Sequence, residues 1–289
     1  MPKKNNNSIQ RPPQKQLKQP GEQTKMVPKP QSVAGNYQAS NKLKDKVAII
    51  TGGDSGIGRA VAIAYAMEGA DVIISYYDEH QDAEETKNQV EAAGRQCLTI
   101  AGDVKKHTFC KKIIANAIKK FHKIDILVNN AAVQFPQDDF EKIRIEQLEK
   151  TFFTNIFSYF YMIKYALPFL KKGSCIINTT SVTAYKGSAH LIDYSATKGA
   201  IVSLTRSLSE NLIKKGIRVN AVAAGPVWTP LIPASFSADQ VKKFGNQVPM
   251  KRAGEPKEIA PCYVFLASSD SSYMSGQVLH PNGGVIVNG

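Results

Sequence analysis

Cysteine is scarce in this sequence: Cys97, Cys110, Cys175 and Cys262 are the four in 289 residues, and none stand at a short paired spacing. That excludes a disulfide framework or a zinc ribbon and suits the reduced thiols of a cytoplasmic protein. The five histidines are scattered without a metal-ligand motif, so no metal is expected. No apolar run approaches the roughly 20 residues that a membrane span requires, which excludes a membrane partner. Aromatic residues are nearly missing from residues 1–40, where Tyr37 is the only one. Acid is equally rare there, with Glu22 alone against seven Lys and Arg. Nucleic-acid binding would require aromatic stacking residues among the basic ones, so this tail does not point to a nucleic-acid partner. It also lacks the apolar core and small-residue cleavage site of a secretory signal. A Lys-, Gln-, Asn- and Pro-rich segment with so few apolar residues is expected to be a disordered basic tail.

Residues 41–289 read as one α/β domain. Short apolar runs at 47–50, 72–74, 97–100, 124–128, 175–177 and 217–222 alternate with helical segments, and a last short strand is expected near 277–280. Such alternation implies a doubly wound parallel sheet, Rossmann-like, covered on both faces. Directly after the first run stands Thr51-Gly52-Gly53-Asp54-Ser55-Gly56-Ile57-Gly58-Arg59, which opens a helix. Glycine at 52, 56 and 58 permits a tight turn and close backbone approach to a pyrophosphate. The helix start then supplies free amides to that anion.

Ser181 ends the fifth apolar run, and Tyr194 and Lys198 lie four apart on the helix that follows. Four residues along a helix place two side chains on one face. A hydroxyl, a phenol and an ammonium around one volume suit alcohol and carbonyl chemistry. The ammonium is expected to lower the phenol's pKa toward a usable acid/base range, and Ser181 to bond the substrate oxygen.

Together with Asn129-Asn130-Ala131-Ala132 after the fourth strand, these motifs resemble the short-chain dehydrogenase/reductase superfamily over roughly residues 43–289. The resemblance implies an oxidoreductase that passes a hydride between NAD or NADP and an alcohol/carbonyl pair, as a homodimer or homotetramer. It implies a catalytic set of Asn155, Ser181, Tyr194 and Lys198, with the Asn155 side chain holding a water of the proton relay. By the same route the cofactor would meet Gly52, Ser55, Gly56, Ile57 and Gly58 at the turn, and Asp103 and Val104 after the third strand. Asn129 and Ala131 would line it after the fourth, Lys198 and Tyr194 would reach its ribose, and Gly225, Val227 and Thr229 would cradle the carboxamide.

Three positions depart from the family pattern: Ala132 and Ala224 replace a usual glycine and proline, and Tyr76 replaces the acid that bonds the ribose of NAD. No arginine stands ready for a 2′-phosphate either. Ser55 holds one place where a basic residue is frequent, Arg59 begins the helix, and Asp78 remains within reach of the ribose. The choice between NAD and NADP stays open.

Residues 227–251 are dense in apolar side chains, among them Trp228, Leu231, Ile232, Phe236 and Phe244. They suit a lid over a pocket walled by Gln134, Phe135, Thr183 and Leu191, with Trp228 near the nicotinamide. A modest apolar aldehyde, ketone or alcohol is the expected small-molecule substrate. The alternatives are a 3-oxoacyl thioester reductase, which uses the same four residues, and a non-catalytic dinucleotide-binding redox sensor. A helix over 146–170, apolar on more than one face, is expected to meet a second copy of the chain.

Overall fold

The computed structural model describes residues 10–287. Seven parallel strands form one sheet in the order β3-β2-β1-β4-β5-β6-β7. They are β1 Val47–Thr51, β2 Asp71–Tyr76, β3 Cys97–Ala101, β4 Ile126–Asn129, β5 Cys175–Ser181, β6 Arg218–Ala224 and β7 Val278–Leu279. The order reverses between β1 and β4, and a parallel sheet opens a crevice beyond its strand ends at such a point. Register brings those ends level: Thr51 pairs with Ser75, Asn129 with Asn178, and Ser181 with Ala224.

Alternation along the strands divides the core in two. Ala48, Ile50, Val72, Ile74, Ile126 and Val128 face one side, beneath helices α1 (Gly56–Met67), α2 (His80–Ala92) and α10 (Pro256–Ala267). Ile49, Ile73, Leu127 and Ile176 face the other, beneath α3 (His107–Phe121), α5 (Ser158–Ala166) and α7 (Ile192–Ile213). Helix α3 shows the rule in its spacing. It buries Phe109, Cys110, Ile113, Ile114 and Ala117, and carries Lys119 and Lys120 in its last turn, where cations favour the helix dipole.

The expected helix over 146–170 is interrupted. It runs as α4 (Ile145–Phe152), one turn of π-helix over Phe153–Phe157 that contains Asn155, and α5. Helix α6 (Thr183–Lys186) follows β5, while α8 (Leu231–Ser235) and α9 (Ala238–Lys242) form the segment expected to act as a lid. Among the described residues no helix is long and apolar enough to cross a membrane.

The expected disordered tail requires correction over residues 10–40, while residues 1–9 lie outside the described residues. Residues 10–40 form a strap across the body, fastened by three carboxylates. Asp82 accepts the backbone N–H groups of Gln23 (2.6 Å) and Thr24 (3.0 Å). Glu255 accepts Gln31 N at 2.9 Å and pairs with Arg11. Glu68 accepts Ser40 N at 3.0 Å, Lys42 N at 2.9 Å and the Tyr37 hydroxyl at 2.5 Å. Composition measures only what a segment buries by itself, whereas these anchors lie far along the chain and act through charge-assisted hydrogen bonds.

Asp82 also faces Arg59 of α1, with Arg59 Nη2 at 3.1 Å from Oδ1 and both side chains 1% exposed. One carboxylate therefore joins α1, α2 and the strap. Asp82→Ala leaves the buried Arg59 guanidinium with only the partly exposed Glu85 as charge partner and releases two strap amides. We expect a loss of about 3–5 kcal/mol in denaturant unfolding, together with protease cleavage within residues 10–30 under native conditions. Native-like stability and an uncut strap would count against this anchoring.

Candidate active site

A cavity of about 1090 Å³ opens at the carboxyl edge of the sheet, over the β1–β4 reversal. Gly52, Ser55, Gly56 and Ile57 form its floor at the first turn. Gly52 and Gly56 have φ of +63° and +54°, a region that favours glycine. A Cβ on Gly56 would stand 3.1 Å from Thr229, and one on Gly58 only 1.9 Å from the Gly52 carbonyl oxygen. Gly58 therefore does not line the cavity; it lets α1 pack directly onto the end of β1.

The remaining positions expected at the cofactor fall into two sets. Tyr76, Asp103, Val104, Ala131, Gly225, Val227 and Thr229 line the cavity. Asn129 does not: it is fully buried in the sheet, and its Nδ2 donates to Asn178 Oδ1 at 2.9 Å. The strand continues one residue further than the motif suggests, so Asn130 takes the place on the wall. Its Nδ2 bridges the carbonyls of Thr51 and Gly52, both at 3.1 Å, which ties β4 to the glycine turn.

Ser181, Tyr194 and Lys198 meet on the opposite wall. Ser181 is the last residue of β5, while Tyr194 and Lys198 occupy successive turns of α7. Lys198 Nζ donates to Thr179 O at 2.9 Å and sits 5.3 Å from the centroid of the Tyr194 ring. Burial pulls the Lys198 ammonium down to about 7. Burial likewise pushes the Tyr194 phenol up to about 12, against the opposing pull of the Ser181 hydroxyl. The expected depression of the phenol is therefore reversed here, because desolvation outweighs the hydrogen bond from Ser181.

Asn155 lies behind this wall rather than on it. Its Oδ1 accepts Val133 N at 2.8 Å, and its Nδ2 donates to Val133 O at 2.9 Å and Thr197 Oγ1 at 3.2 Å. Both amide hydrogens are committed, so the side chain has no donor left for the water assigned to it from the sequence. It joins the π turn to the loop after β4 and to α7 beside Lys198.

The lid is more divided than its composition suggests. Leu231, Ile232, Phe236 and Phe244 line the cavity, together with polar Gln134, His190, Gln240 and Gln247. Trp228 turns away from the site. It is fully buried with Met26, Ile232, Val241 and Ala253, donates Nε1 to Pro28 O at 2.9 Å, and lies beneath the Arg11 guanidinium.

Sequence reasoning also missed the strap's share of the site. Lys18, Gln19, Pro20 and Gly21 line the cavity. Gln19 pairs twice with the backbone of Gln134, donating to its O at 2.5 Å and accepting its N at 3.1 Å. Gln23 Oε1 accepts Gly56 N at 2.7 Å and so caps α1. The Pro20-Gly21 pair, which is turn chemistry, was the one local signal.

A dinucleotide fits this arrangement. The glycines leave a cradle that side chains would fill, and the start of α1 aims its amides into it. At the end of β2, Ser75 Oγ is buried without a hydrogen-bond partner. Asn130, Ala131 and the Gly225–Thr229 stretch continue the floor toward Tyr194.

The family described as Enoyl-(Acyl carrier protein) reductase matches residues 52–286. A glucose and ribitol dehydrogenase of Daucus carota is 56% identical, over 96% of this chain and 98% of that protein. An NADPH-dependent aldehyde reductase of Arabidopsis thaliana is 53% identical, over 95% and 98%. A short-chain dehydrogenase from Burkholderia cenocepacia, solved in complex with NADP, is 27% identical; the match covers 84% of this chain and 98% of that one, with a TM-score of 0.79. Motifs, sheet order and relatives converge: the chain belongs to the short-chain dehydrogenase/reductase family, NAD(P)-dependent oxidoreductases acting on CH–OH groups.

Proposed function

We propose that this chain interconverts a small polyhydroxylated or short-chain aldehyde with the corresponding alcohol, with Tyr194 as the general acid/base. The observation that carries the reading is the convergence of Ser181, Tyr194 and Lys198 on one wall of the dinucleotide cavity. The nicotinamide supplies or accepts the hydride when bound. Ser181 orients the substrate oxygen, and Tyr194 donates its phenolic proton in reduction or takes one in oxidation. Lys198 donates to the ribose hydroxyl oxygens of the cofactor from beside the Tyr194 ring, while Asn155 positions α7 from behind. Two relatives above 50% identity are named for a sugar, a polyol or an aldehyde, which favours these substrates over an acyl thioester. The mixed wall of Gln134, His190, Gln240, Leu191 and Phe236 suits a hydroxylated substrate better than a wholly apolar one. A complete catalytic set argues against a non-catalytic sensor.

The partner we propose is a second copy of the chain. Phe157 and Phe160 are exposed on the π turn and α5, and Phe153 packs on Phe157 with ring centroids 4.9 Å apart. We place the protein in the cytoplasm, where its four free cysteines stay reduced.

The direct test is turnover of glucose, ribitol and short aldehydes with NADH and with NADPH, by the unmodified chain and by Tyr194→Phe. The substitution should cut turnover about 10²–10⁴-fold with little change in melting temperature. Retained turnover would remove Tyr194 from its role.

Lys198→Met should be inactive, and its stability should shift against the unmodified chain with pH in a definite direction. Lys198 has a folded pKa of about 7 against an ordinary 10.5, so the unfolded state binds the extra proton between those values. The unmodified chain must therefore gain stability relative to Lys198→Met as pH rises from 7 toward 10.5. Parallel unfolding curves across that range would contradict the lowered pKa of Lys198. Phe160→Glu should lower the mass measured by light scattering at micromolar concentration; a monomeric unmodified chain would exclude the self-partner.

A further inference from the structure

We propose that Lys18, carried by the N-terminal strap, is the group that receives the 2′-phosphate of NADPH, so that a segment outside the sheet sets the choice of cofactor. The inference deepens the oxidoreductase reading and rests on it.

The end of β2 is where a dinucleotide-binding sheet reads the adenosine ribose. Tyr76 stands there instead of an acid, and Asp78 is the next carboxylate along the wall. Lys18 Nζ lies 2.5 Å from Asp78 Oδ2, and the same carboxylate shares a hydrogen bond with the Glu79 side chain. The ion pair therefore holds a cation for a phosphate on this stretch of wall. An ammonium has three hydrogens, so the bond to Asp78 leaves two for phosphate oxygens.

Two other cations lie near this end, of which Arg59 is committed elsewhere. Arg59, which the sequence places close to the turn, is buried and directed toward α2, bonded to Asp54 O, Thr86, Asp82 and Glu85. Lys105 pairs with Asp103 beyond β3. Two further acids line this part of the wall: burial raises Asp54 to about 6, and burial with its hydrogen bond to Asp78 raises Glu79 to about 8. Near neutral pH Glu79 therefore stays mostly protonated and adds little negative charge to repel a phosphate.

Lys18 does not ride on a loose end. On one side Gln16 N donates to Pro233 O at 2.8 Å, and the Gln16 side chain clamps Glu22 by its N–H and its carbonyl. On the other, Gln19 is held twice by Gln134. The ammonium is half-exposed and free to turn from Asp78 toward an incoming anion, while its backbone stays fixed.

The test measures dissociation constants of NADPH and NADH by fluorescence of the reduced nicotinamide, for the unmodified chain, Lys18→Ala and Lys18→Gln. Loss of one charge-assisted contact should weaken NADPH about tenfold or more and leave NADH within about twofold. Equal weakening of both cofactors would show that Lys18 only fastens the strap and would overturn the inference, as would no change in either. Failure of the unmodified chain to bind either cofactor would instead overturn the oxidoreductase reading beneath it.

Discussion

At the junction of β1, β4 and α1 the backbone passes so closely that atoms other than hydrogen are excluded. Gly58 lies against the carbonyl of Gly52, and Asn130 seals the contact from the β4 side by donating to the carbonyls of Thr51 and Gly52. Thr51 Oγ1 in turn accepts Asn130 N at 2.9 Å and Ala131 N at 3.1 Å. This knot sets how far α1 projects beyond the sheet, and therefore where its first amides point. Cofactor floor and catalytic wall are levelled against it, because β4 pairs with β5, whose last residue is Ser181.

Much of this was legible from residue order. Six of the seven strands announce themselves as apolar runs, since a strand covered on both faces leaves little room for polar side chains; β7 is only two half-buried residues. The catalytic trio was legible too, because helical spacing and a strand end suffice to bring three side chains together. Where the reading fell short, polar groups are satisfied at a distance. β5 extends beyond its apolar run through Asn178, Thr179 and Thr180, each bonded to a neighbouring element, such as Asn178 to Thr205. The same cause moved the cavity wall from Asn129 to Asn130 and turned the Asn155 amide away from the site. The strap is the extreme instance, for its anchors are carboxylates up to 244 residues away.

Desolvation shapes the chemistry. Enclosing Tyr194 and Lys198 drives the phenol toward its proton and the ammonium away from its own, so the resting site stores neither phenolate nor a comfortable cation. A strained pair of this kind is destabilising by itself, and active sites commonly retain such groups at a cost to stability. Bonds such as Lys198 to Thr179 O, and the Asn155 bridge behind them, hold the pair in place despite that cost.

The strap also imposes an order on how the molecule is made. Its residues leave the ribosome before the strands and helices they cross, yet Arg11 and Gln31 dock on Glu255, and Pro28 accepts from Trp228. Those partners follow 200 to 244 residues later. Gln23 can meet Gly56 and Asp82 as soon as α1 and α2 exist, whereas the Arg11, Pro28 and Gln31 contacts must wait until Trp228 and Glu255 are made. The strap is therefore seated from its middle outward, and its contacts with the far end of the chain close last.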